Sequence, residues 1–478
     1  MDQMKNELEQ KNNLVAIGAL AIFYFVFLGG EYLFDNMIAH YLSSAKVVVA
    51  QSGILGISGI GFLCYFQIQR FISSKNRGGA LMGAVALGIV CIFMVQHHVS
   101  FAGTLSTGLI LFLLLGILGG GVHLMAAELW MESRKLARYV GTAYGAGILM
   151  QFINNNLVRQ ELVEAVILSV LLTVLAWMLS RKKESVDEEQ CDANRLHVEE
   201  LKNPKNPQKT AMLLVILVAL MTCIFATLDN AVTMAHAEGT MDIGQWPRLL
   251  LACSGLAAGW IFDLGKRKYM SIIMYCVMLL STVCVVMIQF GGPFLVGLVV
   301  FYLSAGFFAV YFTTGFLALS MKMKRPALWA GMGRGVNNLC ALMTGTFSVL
   351  LLDTGNNLLI MTLSLVLFAV ISVVLYLYLG QYETTNVQIV SAEPENVLQE
   401  EEIMQKFCER FVLTQREGEV LAAILHSEEN AQKIAEELNL SRAALYRHIS
   451  SINEKTGTGS RIGLIQFYFS WEKEHRLG

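Results

Sequence analysis

The first 380 residues are interrupted every 20 to 30 positions by an apolar stretch, and this constrains the fold more than any other feature of the chain. About twelve such stretches can be marked, starting near Leu14, Lys46, Gly79, Phe101, Tyr139, Leu162, Thr210, Trp246, Tyr269, Pro293, Ala327 and Asn356. Each is close to the roughly 20 residues that a helix needs to cross a hydrocarbon core. Inside lipid the backbone must satisfy its own hydrogen bonds, and helices do this within a single segment. Composition agrees, at 55% hydrophobic and only 15% charged over 478 residues. The chain is therefore read as an all-α, multi-pass membrane protein. The first apolar run continues into Glu31 and Asp35 without a small-residue cleavage site, so it reads as a retained span.

The positive-inside rule orients the map. With the N-terminus in the cytoplasm, 21 Lys and Arg fall in inside segments, and only Lys46, Arg159 and Arg248 fall outside. An even number of spans returns residues 381 onward to the cytoplasm. Both termini are then expected on the inner face of the cell's inner (plasma) membrane. A polar loop, 181–209, separates six spans from six, giving halves 14–180 and 210–380.

That plan resembles the major facilitator superfamily. Gly259-Trp-Ile-Phe-Asp263-Leu-Gly265-Lys266-Arg267-Lys268 is similar to the superfamily's G-x-x-x-D-x-x-G-R-R/K loop motif, one residue shorter between Asp and Gly. The resemblance implies that this loop helps latch a cytoplasmic gate. The counterpart in the first half, Gly61 to Arg77, lacks the Asp.

Two halves related as repeats predict equivalent residues in equivalent helices. The first span ends YLFDNMIAH, with Asp35 and Asn36; the seventh ends ATLDNAVTMAH, with Asp229 and Asn230. In the superfamily these helices line the central cavity, so Asp35, Asn36, Asp229 and Asn230 are candidate ligand residues. The plainer reading is that such pairs cap helix ends. Arg334 lies about two turns into the eleventh span, among Gly331, Gly333 and Gly335, with Asn337 one turn on. Ionisable groups at such a depth face a cavity or each other, so Arg334 and Asn337 join the ligand candidates. The rival reading is that Arg334 snorkels to the interface.

Composition shifts after Gly380. Residues 381–404 hold six glutamates and no Lys or Arg, and read as an acidic linker. A flexible tether of that length spans only ~25 Å. Residues 405–478 then read as four short helices. Thr414 and Glu417 form a capping box. Asn430 and Ser441 cap two further helices, which turn Ile434, Ala435 and Leu438, and Leu445, Ile449 and Ile452, inward.

This tract resembles the LuxR-type helix-turn-helix. Leu413, Thr414, Arg416, Glu417, Glu419, Val420, Leu421, Ile434, Ala435, Leu438, Ser441, His448, Ile452, Lys455, Gly457, Ser460 and Arg461 fall in register with it. The resemblance implies a recognition helix in the major groove. Arg442, Ala443, Tyr446, Arg447 and Ser450 are its outward candidates, with Lys433 and Arg461 for phosphates. The family's T-V-K is Ala444-Leu445-Tyr446 here, which removes a lysine that normally faces DNA. From Lys406 onward ten Lys and Arg balance ten Asp and Glu, so a monomer should bind weakly and a homodimer on two half-sites is expected. In the family the last helix is the dimer contact, which nominates Leu464, Phe467, Tyr468 and Trp471. Its aromatics also suit membrane lipid.

Neither a metal nor a cofactor is expected. The nine cysteines form no C-x-x-C pair, and no nucleophile elbow, metal-ligand spacing or phosphate loop occurs. The chain is not expected to be an enzyme. The pairing of domains implies a one-component transcriptional regulator that senses a small molecule at the membrane and binds promoter DNA. The alternatives are a secondary transporter with a regulatory C-terminal domain, and a membrane anchor without a ligand.

Overall fold

The computed structural model describes residues 2–130, 133–158, 160–180, 204–353, 356–382, 403–426, 431–438 and 440–475. Most of the expected inter-half loop and acidic linker, and the expected cap Asn430, lie outside them. Every longer element among the described residues is helical, and the chain divides into two compact units, Met1–Thr384 and Thr385–Gly478.

The first unit opens with α1 (Asp2–Ile38), α2 (Ser44–Phe71), α3 (Ser74–His97), α4 (Phe101–Trp130), α5 (Leu136–Leu157) and α6 (Glu161–Ser180). Its second half holds α7 (Pro207–Ala237), α8 (Trp246–Phe262), α9 (Met270–Gln289), α10 (Phe294–Ser320), the short α11 (Pro326–Ala330), α12 (Met332–Asp353) and α13 (Asn357–Leu379). Local chemistry sets several starts. Asn206 accepts a hydrogen bond from the Lys209 N–H at 3.1 Å, with Pro207 at the first helical position. Asn356 does the same for the Leu359 N–H at 3.0 Å.

Nine of the described helices are long and apolar enough to cross a membrane: α1 (from Gln10), α2, α3, α4, α6, α7, α9, α10 and α13. The other long helices of this unit are α5, α8 and α12. Helix α8 is short, at 17 residues. Helix α5 carries Gln151 and Asn154 to Asn156, and α12 carries Arg334, Asn337 and Asn338. The polarity of α5 and α12 goes with their position, because both lie at the seams between the halves, α5 against α8 and α12 against α2. The α5–α8 seam is closed at glycines: a Cβ on Gly141 would stand 2.6 Å from the Gly255 carbonyl and 2.7 Å from the Gly259 Cα.

The second unit holds α14 (403–410), α15 (Gln415–His426), α16 (Ala431–Glu437), α17 (Arg442–Thr456) and α18 (Arg461–His475). Its core is its own: Phe407, Val420, Leu421, Ile424, Ile434, Ala435, Leu445, Ile449, Ile452, Leu464 and Tyr468 are buried together. Helix α14 goes beyond the four helices expected, and it brings Phe407 to the middle of that core.

Candidate functional site

A cavity of about 170 Å³ lies between the halves of the first unit. Asp35, Asp229, Arg334 and Asn337 line it, as do Glu31, Gln51, Tyr144, Arg248 and Asn338. The remaining wall is largely aromatic, including Phe27, Phe225, Phe308 and Phe312. Glu31 and Asp35 are one turn apart on α1, and the Gln51 amide donates to both at 2.9 Å. Arg334 lies among rings: its guanidinium carbon is 5.1 Å from the Phe312 centroid, 5.5 Å from Tyr24 and 6.0 Å from Phe27. Gly333 permits this, since a Cβ there would stand 2.9 Å from Phe312 and 2.8 Å from Phe316. Nε and Nη2 of Arg334, Nε of Arg248 and Oδ1 of Asp35 are buried without a hydrogen-bond partner.

Asn36 and Asn230 lie off the cavity wall. The Asn36 Oδ1 is 3.1 Å from Nε2 of His236, and Asn230 is buried beside its wall-lining neighbour Asp229. Sequence reasoning did not nominate Arg248 for the site. It counted as an outer-segment charge, yet it is 6% exposed on α8 and faces the same cavity as Arg334.

The halves are tied at both ends of this cavity. At one end Asp263 accepts the backbone N–H groups of Ala137 at 3.2 Å and Arg138 at 2.9 Å, at the start of α5. An anion is favourable at that helix terminus. Arg138 and Arg267 approach the same carboxylate at 3.8 and 3.7 Å, and Arg267 donates to the Ser133 carbonyl at 3.2 Å. Gly265 makes the turn possible with φ +57°. At the other end the Tyr32 hydroxyl donates to Asp242 at 3.2 Å, and the Tyr32 ring stacks on His236 at 5.5 Å.

The second candidate surface is on α17. Leu445, Ile449 and Ile452 are buried, whereas Arg442, Ala443, Tyr446, Arg447 and Ser450 are all exposed. The helix thus presents one continuous outer face whose first turn starts at Arg442. Ser441 caps it by accepting the Ala444 N–H at 3.2 Å, and Gly457 ends it with φ +70°. The Arg442 guanidinium lies 5.8 Å from the Tyr446 ring, so the tyrosine takes the place beside it that the missing lysine leaves. Lys433 is exposed on α16 and Arg461 is half-buried at the start of α18.

Glu417 fixes α17 to α15. Its carboxylate accepts the Thr414 N–H at 2.7 Å, the Ser451 hydroxyl at 2.6 Å and the Lys455 ammonium at 2.6 Å. Burial pushes this carboxyl up, but those bonds outweigh it and bring the pKa down to about 2. Arg416 pairs with Glu419 and donates to the Leu438 carbonyl at 2.6 Å, tying α15 to the end of α16.

The expected dimer contacts are partly engaged within the domain itself. Leu464 and Tyr468 are spent in the domain's own core, and Phe467 and Trp471 pack on Phe407 at ring distances of 6.2 and 5.2 Å. The reason is α14, which covers the face of α18 that the sequence left unpartnered. Ile462 and Phe469 are the large apolar residues of α18 that stay exposed among those described, at 69% and 51%.

Comparison with known proteins places both units. The family model of bacterial regulatory proteins of the luxR family matches residues 411–468. No curated protein matches the chain. Among solved structures, the human organic anion transporter TETRAN is similar at 14% identity and TM-score 0.52, covering 78% of this chain and 99% of its own. The E. coli fucose:proton symporter FucP gives 12% and 0.52, covering 78% and 100%. An auto-inhibited peptide transporter of the POT family gives 12% and 0.52, covering 80% and 99%. At these identities the likeness is one of fold. Residues 411–468 match the luxR family of bacterial regulatory proteins, and the multi-pass membrane domain that carries them shares the fold of these transporters.

Proposed function

We propose that this protein is a one-component transcriptional regulator of the bacterial inner membrane, not an enzyme. It crosses the membrane twelve times, with both termini in the cytoplasm. The major-facilitator-like domain senses a small molecule, and the LuxR-type domain binds promoter DNA as a homodimer. The observation that carries this reading is the charged cavity between two tied halves, on the same chain as a helix-turn-helix. A ligand that prefers one arrangement of the halves shifts the population between arrangements, and a ligand with equal affinity for both shifts nothing.

The root of the linker offers a route for the signal. Tyr382, at the end of the described part of the first unit, forms a backbone bridge with Pro204, and the Lys205 N–H donates to the Gln381 carbonyl at 2.9 Å. The Tyr382 hydroxyl is 3.1 Å from that of Tyr378 and within electrostatic reach of Arg267. The linker therefore starts beside the Asp263 latch. Movement of the latch moves the point from which the DNA-binding domain is tethered.

The test is promoter occupancy in cells, mapped by crosslinking, with a reporter on the occupied promoter. Occupancy that no added small molecule alters would sink the sensing reading. The intact latch at Asp263 favours a second reading, a secondary transporter with a regulatory C-terminal domain, and substrate accumulation in vesicles separates the two.

A further inference from the structure

We infer that the ligand of the central cavity is a small zwitterion, an amino-acid-like molecule carrying a protonated amine and a carboxylate on an apolar body. The inference rests on the sensing reading and adds the chemical class. Five acidic or basic side chains line the cavity: Glu31, Asp35, Asp229, Arg248 and Arg334. Among the described residues no carboxylate of this set lies within ion-pair distance of either guanidinium. Charges within a membrane helix are costly, and pairing or ligation offsets that cost.

The protein's own groups offset it only in part: Arg248 attracts Glu31, Asp35 and Asp229, and Arg334 attracts Glu31, from beyond contact distance. Gln51 bridges Glu31 and Asp35, but an amide brings no charge. Rings surround Arg334, and its Nε and Nη2 have no acceptor. Arg248 also keeps an orphaned Nε, and Asp35 an orphaned Oδ1. Both of these residues are more than nine-tenths buried.

The two signs of charge select the ligand. An anion alone answers the guanidinium groups and leaves three carboxyls unmatched. A cation alone leaves both guanidinium groups unmatched. A molecule with both charges answers both sets, and its amine is also the donor that a carboxyl wall needs. Its carboxylate suits the planar fork of an arginine. The phenyl-rich remainder of the wall takes an apolar or aromatic side chain. Size sets the scale: a cavity of about 150 Å³ holds benzene, so this one, at about 170 Å³, takes roughly seven non-hydrogen atoms as it stands, the scale of a small amino acid.

The experiment uses the purified full-length protein in detergent, with binding read as a shift of the melting midpoint over a concentration series. The probes are alanine, valine, leucine and phenylalanine, each beside its amine-only and acid-only analogue; for phenylalanine these are 2-phenylethylamine and 3-phenylpropanoate. At least one amino acid should bind saturably, with both of its analogues at least tenfold weaker. Asp229→Asn should weaken the amino acid tenfold or more and leave 3-phenylpropanoate unchanged. Arg334→Gln should weaken the amino acid equally and leave 2-phenylethylamine unchanged. Arg334→Lys, which keeps the charge, reads the site if the glutamine variant does not fold. An analogue with one charge that binds within tenfold of its amino acid overturns the inference, as does failure of all four amino acids to bind. Amino-acid binding without any promoter response overturns the sensing reading instead and leaves the ligand class standing.

Discussion

Replacing Glu417 by Gln tests how the DNA-reading helix is held. The carboxylate is 6% exposed and accepts hydrogen bonds from Thr414, Ser451 and Lys455, so it joins the first turn of α15 to the last turns of α17. Its pKa falls from an ordinary 4.5 to about 2. That difference is worth about 3 kcal/mol of preference for the charged form in the folded state. Because the folded value is the lower one, the contribution is complete above pH 4.5 and drains away as pH falls towards 2. A domain of this size has only about 4–10 kcal/mol of stability in all, so the loss is large. Urea unfolding of residues 403–478 between pH 7 and pH 2.5 measures it. The wild type should lose most of the 3 kcal/mol across that window. Glu417→Gln should start about 2–3 kcal/mol lower at pH 7 and show a shallower slope. Parallel pH profiles for the two proteins would refute the argument, since the slope then belongs to other carboxylates.

Arg442→Ala or Arg447→Ala should each weaken specific promoter binding by about 1–3 kcal/mol if the side chain contacts a base; an unchanged mobility shift for the double variant removes α17 as the reader. A reporter fused after Lys183 or after Gly380 should sit in the cytoplasm and one after Gly355 outside, and a periplasmic signal from the fusion after Gly380 contradicts the topology. Asp229→Asn and Arg334→Ala should abolish the response to inducer while the isolated C-terminal domain still binds DNA; dose curves with unchanged midpoint and amplitude dispose of the cavity as the sensor. Tyr382→Ala removes the hydroxyl and ring that hold the linker root, so it should uncouple ligand binding from promoter output with both binding events intact. A full response in that variant excludes the linker root as the route.

The helices were legible because lipid imposes one pattern, a long apolar run bounded by charge. The recognition helix was legible because its caps and inward stripe are local: Ser441 caps, and Leu445, Ile449 and Ile452 are buried as their spacing predicts. What was not legible depends on long-range packing. Arg248 follows Trp246-Pro247 at a helix start, where a charge normally meets water, and only the approach of α1 and α12 turns that place into a cavity wall. Gln51 is an unremarkable amide until α2 packs beside α1 and sets it against Glu31 and Asp35. Leu464 and Tyr468 read as a dimer face by resemblance, while α14 was not counted among the domain's helices; its Phe407 draws both into the domain's own core.

The first turn beyond Phe27 on α1 shows how a bound molecule can reach the ties between the halves. Residues 31, 32, 35 and 36 make two adjoining stripes at helical spacing. Glu31 and Asp35 line the cavity, whereas Tyr32 and Asn36 reach Asp242 and His236 of the other half. A ligand that draws the first pair inward rotates the second pair with it, because one stiff helix carries both. Taking a two-state equilibrium from 1:99 to 99:1 needs about 5.5 kcal/mol of differential affinity. Hydrogen bonds to charged groups contribute about 1.5–3 kcal/mol each, so two at the upper end of that range, or three at about 2 kcal/mol, made in one state only are enough. The cavity has that number to give: Asp35, Arg248 and Arg334 all hold polar atoms that no protein group satisfies in the tied arrangement. The same groups explain why the unliganded protein need not be locked, since their unmet bonds weaken the arrangement in which they are buried. Sensing by this route requires no transport cycle, only that the ligand satisfy these atoms better in one arrangement of the halves than in the other.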